Sequence, residues 1–193
     1  MKYTLKNQAK RVGIALAAVA AFSALGIGTA QAASFASATV SLDRLGNLQC
    51  TFKEVGLGAL ALINYSCGAE ALGVVSGCFV KNKLVANSTL TTAIFKDVAP
   101  EEPVALLARN NGVISTTLTT EIPESEGGGE HACTEPAQSQ VIAVRWCNVS
   151  LVDTTNNIVG TAEGGLFAQL VRTGTTVIDV PTCAELLAAP ATP

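Results

Sequence analysis

The chain has 193 residues, of which 49% are hydrophobic, with six cysteines, a single histidine and a formal net charge of −3. An acidic balance repels nucleic acid and anionic lipid, both of which reward basic patches, so neither is expected as a partner. An even cysteine count in an exported chain of this size implies three disulfides, which takes the thiols away from catalysis and metal binding.

Residues 1–32 read as a cleavable secretory signal. A basic start (Lys2, Lys6, Lys10, Arg11) precedes an apolar run from Val12 to Ile27 and then Thr29-Ala30-Gln31-Ala32, whose small residues at Ala30 and Ala32 suit signal peptidase. The run is rich in Ala and Gly and falls short of the roughly 20 residues that span a bilayer, so cleavage between Ala32 and Ala33 is expected instead of an anchor. Four of the twelve basic residues leave with the signal and all fifteen acidic ones stay, which takes the net charge from −3 to −7. No later segment reads as a membrane span, and the destination is secreted or periplasmic.

The mature chain reads as short β-type runs separated by turn residues. Val40 and Leu42 alternate with Thr39 and Ser41 ahead of a turn at Asp43-Arg44-Leu45-Gly46-Asn47. Leu48, Cys50 and Phe52 alternate with Gln49, Thr51 and Lys53; Gly56-Leu57-Gly58 connects; and Ala61, Ile63, Tyr65 and Cys67 share a face. Further runs are Gly77 to Val80, Thr89 to Lys96, Val113 to Ile122, Val141 to Val152, Leu166 to Arg172 and Thr175 to Val180. The run to Ile122 is the clearest half-buried strand, with Ile114, Leu118 and Ile122 sharing a face with Thr116 and Thr120 after the Asn110-Asn111-Gly112 turn. Only Ala184 to Ala189 reads as helical.

Runs at this spacing predict an all-β fold, an antiparallel β-sandwich of immunoglobulin-like or Greek-key type, in preference to a closed barrel. One domain is expected over 33–185, with a flexible C-terminal tail at 186–193. Disulfides among Cys50, Cys67, Cys78, Cys133, Cys147 and Cys183 reinforce it, and six cysteines allow fifteen connectivities.

Cys50-Thr51-Phe52-Lys53-Glu54-Val55-Gly56-Leu57, followed by Tyr65-Ser66-Cys67, resembles a group of small secreted bacterial proteins of unknown function that carry a C-x-F-x-E-x-G-L segment and then Y-x-C. Asn111-Gly112-Val113-Ile114 before a Thr-rich strand, and Asn148-Val149-Ser150-Leu151-Val152-Asp153-Thr154-Thr155-Asn156, extend the resemblance over roughly residues 48 to 157. It implies structural motifs and no activity. It also implies a pairing: the group has four cysteines matching Cys50, Cys67, Cys78 and Cys133, and a Tyr where this chain has Cys147. Cys147–Cys183 is then an added bridge beside Cys50–Cys67 and Cys78–Cys133.

Catalytic signals are weak. His131 lies in the glycine-rich acidic loop Pro123 to Pro136, no serine sits in a G-x-S-x-G elbow, and a His131–Cys133 pair would need a free thiol. Glu101, Glu102, Glu121 and Glu124 could pair for glycoside hydrolysis, although any acidic chain offers such carboxylates and a solvated edge accounts for them. Gly127-Gly128-Gly129 lacks the Lys-Ser/Thr of a phosphate cradle and is flanked by Glu126 and Glu130. The loop's carboxylates lack EF-hand spacing, so mobility without bound calcium is expected. Trp146, the only tryptophan, reads as a core or sheet-face residue more than a sugar platform. The sequons at Asn64, Asn87 and Asn148 are of the kind that chance supplies in a Ser/Thr-rich chain. No cofactor, metal or catalytic residue is assigned. The expected function is a non-enzymatic binding or cell-surface interaction module, with a small-ligand or glycan binder as the alternative and a carboxylate-dependent hydrolase behind it.

Overall fold

Alternation decides the first element of the core: Leu48, Cys50 and Phe52 point inward and are buried, while Thr51 and Lys53 are exposed. The computed structural model describes residues 3–4, 6–7, 32–85, 90–100, 102–123, 133–171 and 178–191. The strands are β1 (Tyr3–Thr4), β2 (Lys6–Asn7), β3 (Ser34–Leu42), β4 (Leu48–Val55), β5 (Leu62–Val80), β6 (Lys83–Leu84), β7 (Thr91–Val98), β8 (Val104–Leu107), β9 (Ile114–Thr120), β10 (Gln138–Asp153) and β11 (Ile158–Gln169), and the helix is α1 (Cys183–Ala188). Every ladder among them is antiparallel.

The strands form two sheets instead of a closed barrel. A four-stranded sheet has the order β1-β3-β4-β9, and a seven-stranded one the order β2-β11-β10-β5-β6, with β7 and β8 also on β5. The long β5 organises the second sheet: β10 runs along one edge, and β8, β7 and β6 follow one another along the other. Between the sheets lies the main core, built from Val40, Leu48, Phe52, Tyr65, Leu72, Trp146 and Leu151. Phe52 packs edge-on against Phe35, with ring centroids 5.6 Å apart, and against Tyr65 at 4.7 Å. Trp146 is fully buried and donates its indole N–H to the Gly46 carbonyl at 2.9 Å, which satisfies its one polar atom.

The second sheet is also covered on part of its outer face. Ile178 and Val180 pack over Val75, Phe79, Ile142 and Ala143, and Leu186 of α1 packs over Ala71 and Cys147. A six-residue helix has little stability of its own. Full burial of Leu186 supplies about 1.5–3 kcal/mol, and a capping box joins Thr182 to Glu185. At the other end the Lys96 ammonium donates to the carbonyls of Leu186 (2.5 Å) and Leu187 (2.8 Å), where a helix C-terminus favours a cation. Gly73 makes room: a Cβ there would stand 2.8 Å from Leu186 Cδ2.

Three disulfides link these layers. Cys50–Cys67 crosses from β4 to β5 between the sheets, Cys78–Cys133 ties β5 to the chain just before β10, and Cys147–Cys183 fastens α1 to β10.

Several boundaries differ from the sequence expectation. β5 is one strand where two short runs were expected, because Gly68 to Ser76 is mostly buried and shows no clean alternation. β8 was not expected at all, and β11 starts at Ile158, well before Leu166. Ile178 to Val180 form no ladder and act as plugs on the outer face; residues 172–177 lie outside the described residues. The flexible tail expected over 186–193 does not start at 186, since α1 runs to Ala188 and Leu186 is fully buried. Most of the expected signal segment, residues 8–31, also lies outside the described residues.

Candidate functional site

The inward register of β4 continues past Phe52 to Glu54, and that of β10 passes from Val149 and Leu151 to Asp153. Both carboxyl groups therefore enter the core, and each residue is 0% exposed, as is Tyr65. The Tyr65 hydroxyl donates to Glu54 Oε2 at 2.7 Å. Asp153 Oδ1 accepts from the backbone N–H groups of Thr155 (2.8 Å) and Asn156 (2.9 Å), and Oδ2 accepts from the Asn156 amide at 2.6 Å. Three donors satisfy the Asp153 carboxyl oxygens and fix the β10–β11 turn.

Glu54 is poorly provided. Its Oε1 has no hydrogen-bond partner so long as the group is ionised. Burial pushes its pKa up to about 7; the Tyr65 hydrogen bond pulls the other way, and the neighbouring Asp153 carboxylate adds to the rise. A proton on Glu54, donated to Asp153, resolves both the orphaned oxygen and the repulsion. Tyr65 is raised as well, by burial and then by its bond to Glu54.

A carboxylic acid whose pKa is raised toward neutrality beside a second carboxyl group is the arrangement acid–base enzymes use. Here it is sealed, because a substrate cannot reach residues that expose no surface. The pair instead joins the sheets, β4 from one and β10 from the other, with Tyr65 of β5 between them.

The turns around this pair are knitted together. The Leu57 N–H donates to the Gly112 carbonyl at 3.1 Å, Ala108 N–H to Ala61 at 2.8 Å, Thr154 N–H to Asn64 at 2.8 Å, and Asn64 N–H to the Thr155 hydroxyl at 2.9 Å. Gly112 has a φ of +67°, and a Cβ there would run into the Leu57 carbonyl oxygen, so only glycine fits. Segments far apart in sequence, around Glu54, Tyr65, Gly112 and Asp153, thus build one end of the sandwich.

The outer face of the second sheet differs beyond the reach of the C-terminal segment. Leu62 and Leu107 face each other across β5 and β8 and are both exposed; Leu60, in the turn before β5, is exposed too, as is Val104, whose register opposite Tyr65 puts it on the other face of the sheet. Leu60 has a φ of 57°, a conformation that costs a branched residue about 1–3 kcal/mol. Farther across the sheet Val152 pairs with Val159, and Ser150 with Thr161. Next comes a bulge in which the register of β10 against β11 shifts at Asn148, whose φ is 52°. Its amide donates to Glu70 Oε2 at 2.8 Å, and Glu70, Asn148, Ser150, Thr161 and Ala162 line an open hollow of about 490 Å³.

The residues weighed from sequence do not converge. Trp146 is in the core, Glu102, Glu121 and Glu135 are exposed at separate places, and Glu101, Glu124, Glu126, Glu130 and His131 lie outside the described residues. Among the described residues, no group of three or more His, Cys, Asp and Glu side chains is placed to hold a metal, and no helix is long and apolar enough to cross a membrane. Glu54, Asp153 and Glu70 were not singled out as site residues. Strand parity would have found the first two, since each is charged at the position that continues an apolar register, Glu54 after Cys50 and Phe52 and Asp153 after Val149 and Leu151. No family model, curated protein or solved structure matches the chain.

Proposed function

We propose that the chain is exported, is cut between Ala32 and Ala33, and acts as a non-enzymatic binding or cell-surface interaction module in the periplasm or outside the cell. The resemblance to small secreted bacterial proteins and the signal-like start support export. The disulfides fit an oxidising compartment, and the cut leaves one residue, Ala33, ahead of β3.

The observation that carries the binding reading is the uncovered part of the second sheet's outer face. Exposed Leu62 and Leu107 pair there on the same face as a polar hollow, whereas the perturbed acid pair is closed to solvent. Among the described residues β8 pairs with β5 alone, so its other edge can accept an added strand. The partner is a protein that contacts this face. The small-ligand alternative draws on the hollow; a glycan stacked on Trp146 draws on nothing, because that ring is buried.

The test immobilises the mature protein and captures partners from the producing organism's envelope and medium. A Leu62→Ser/Leu107→Ser double variant with an unchanged melting temperature is expected to lose the captured protein. A screen against esters, glycosides, peptides and phosphoesters is expected to show no turnover. Turnover that vanishes when a carboxylate is changed to its amide in a folded variant would overturn the reading.

A further inference from the structure

The hollow at the bulge is rich in acceptors. Glu70 can only accept, the Asn148 amide nitrogen is already engaged with Glu70 Oε2, and the hydroxyls of Ser150 and Thr161 can accept as well as donate. Its single formal charge is negative, and an anion would be repelled. A neutral sugar would gain no stacking surface, since the lining contains no aromatic ring. The complement is a donor-only cation. Lysine and arginine carry three and five N–H donors and no acceptor.

The surroundings favour a cation on an aliphatic stem. On the same outward register, one row from Ser150 and Thr161, Val152 lies opposite half-exposed Val159, where methylenes can rest while the charged head reaches Glu70. Lys6 of β2, the register partner of Thr161, leaves with the segment that the proposed cleavage removes; of the remaining basic groups near this face, Lys96 donates to the carbonyls of α1 and Arg145 lies over the Phe167 ring at 5.1 Å from its centroid. The acidic net charge of the chain draws basic partners toward it at long range.

We infer that the hollow lined by Glu70, Asn148, Ser150 and Thr161 receives one lysine or arginine side chain from a basic segment of the partner protein. This rests on the binding-module reading and gives it a chemistry. Glu70 pairs with the cation, Asn148 holds the carboxylate in place, and the valine row takes the stem. Leu62 and Leu107 lie farther along the same face and meet flanking apolar residues of the segment.

The probe is a capped pentapeptide, Ala-Val-Lys-Val-Ala, titrated calorimetrically into the mature protein alongside the same peptide with acetylated lysine. Saturable binding is expected that weakens as salt rises, is lost on acetylation and falls about tenfold in Glu70→Gln. Glu121→Gln removes the same charge from the other sheet and is expected to bind within about twofold of wild type. No saturable binding, equal binding of the acetylated peptide, or equal losses in the two variants would each overturn the inference; equal losses would assign the attraction to overall charge. If Glu70→Gln still captures the partner that Leu62→Ser/Leu107→Ser loses, the hollow is excluded while the binding-module reading stands. Turnover in the substrate screen would remove that reading independently.

Discussion

Glu54 and Glu70 are both glutamates in strands, and the sheet treats them in opposite ways. Glu54 occupies an inward register position, is completely buried and holds a proton to about pH 7 against Asp153. Glu70 occupies an outward position at a bulge, stays exposed and shares one amide hydrogen bond with Asn148. Parity along the strand separates a carboxyl group that joins two sheets from one that is free to meet a ligand. Perturbed acidity alone would have chosen Glu54 as the functional group, yet accessibility chooses Glu70.

The largest effect that tests this contrast is on the buried side. Asp153→Ala leaves the Thr155 and Asn156 N–H groups and the Asn156 amide without their acceptor, and removes the acceptor for the Glu54 proton. A loss of about 3–5 kcal/mol is expected, read as a lower denaturation midpoint. A loss under about 1 kcal/mol would mean that water or turn rearrangement replaces the carboxylate, and the inward acid pair would not be a structural joint.

The second effect is pH dependence. Because the folded pKa of Glu54, about 7, lies above its ordinary value of 4.5, the native state binds the extra proton. Its contribution is fully present below about pH 4.5, declines as pH rises toward 7 and is lost above that, with a total of up to about 3 kcal/mol. Glu54→Gln keeps a donor and an acceptor but cannot ionise, so its denaturation midpoint should lack that decline. Equal slopes in wild type and variant between pH 4.5 and 7.5 would place the titration elsewhere.

How much of this was legible depended on whether a segment had one wet face. Leu48 to Phe52 and Ile114 to Ile122 do, and their alternation and adjacent turns placed β4 and β9 nearly to the residue. The centre of β5 has the inter-sheet core on one side and Ala99, Leu186 and Val180 on the other, so glycines and apolar residues follow one another with no period. β8 has only four residues and three of them are exposed, too little pattern to register. The disulfide pairing implied by the resemblance is the pairing observed. Glu54 and Tyr65 were legible as parts of the C-x-F-x-E-x-G-L and Y-x-C pattern, but their meeting depends on β4 and β5 lying in different sheets. The hollow was not legible, because a bulge at Asn148 changes which residues face outward and nothing local in Cys147-Asn148-Val149 announces it.

The smallest effect is on the exposed side, where the contrast is sharpened by an expected near-silence. Glu70 is solvated, and an exposed hydrogen bond between a carboxylate and an amide contributes little net stability, because water replaces it when it breaks. Glu70→Gln is therefore expected to change unfolding free energy by less than about 0.5 kcal/mol. Asn148→Ala should cost more, about 1 kcal/mol, because alanine tolerates a positive φ less well than asparagine, and Asn148→Gly should recover that loss. If Glu70→Gln alone destabilised the fold as much as Asp153→Ala does, the outward carboxylate would be holding the bulge closed. Glu70 would then belong with Glu54 as part of the frame, and its exposure would say nothing about a partner.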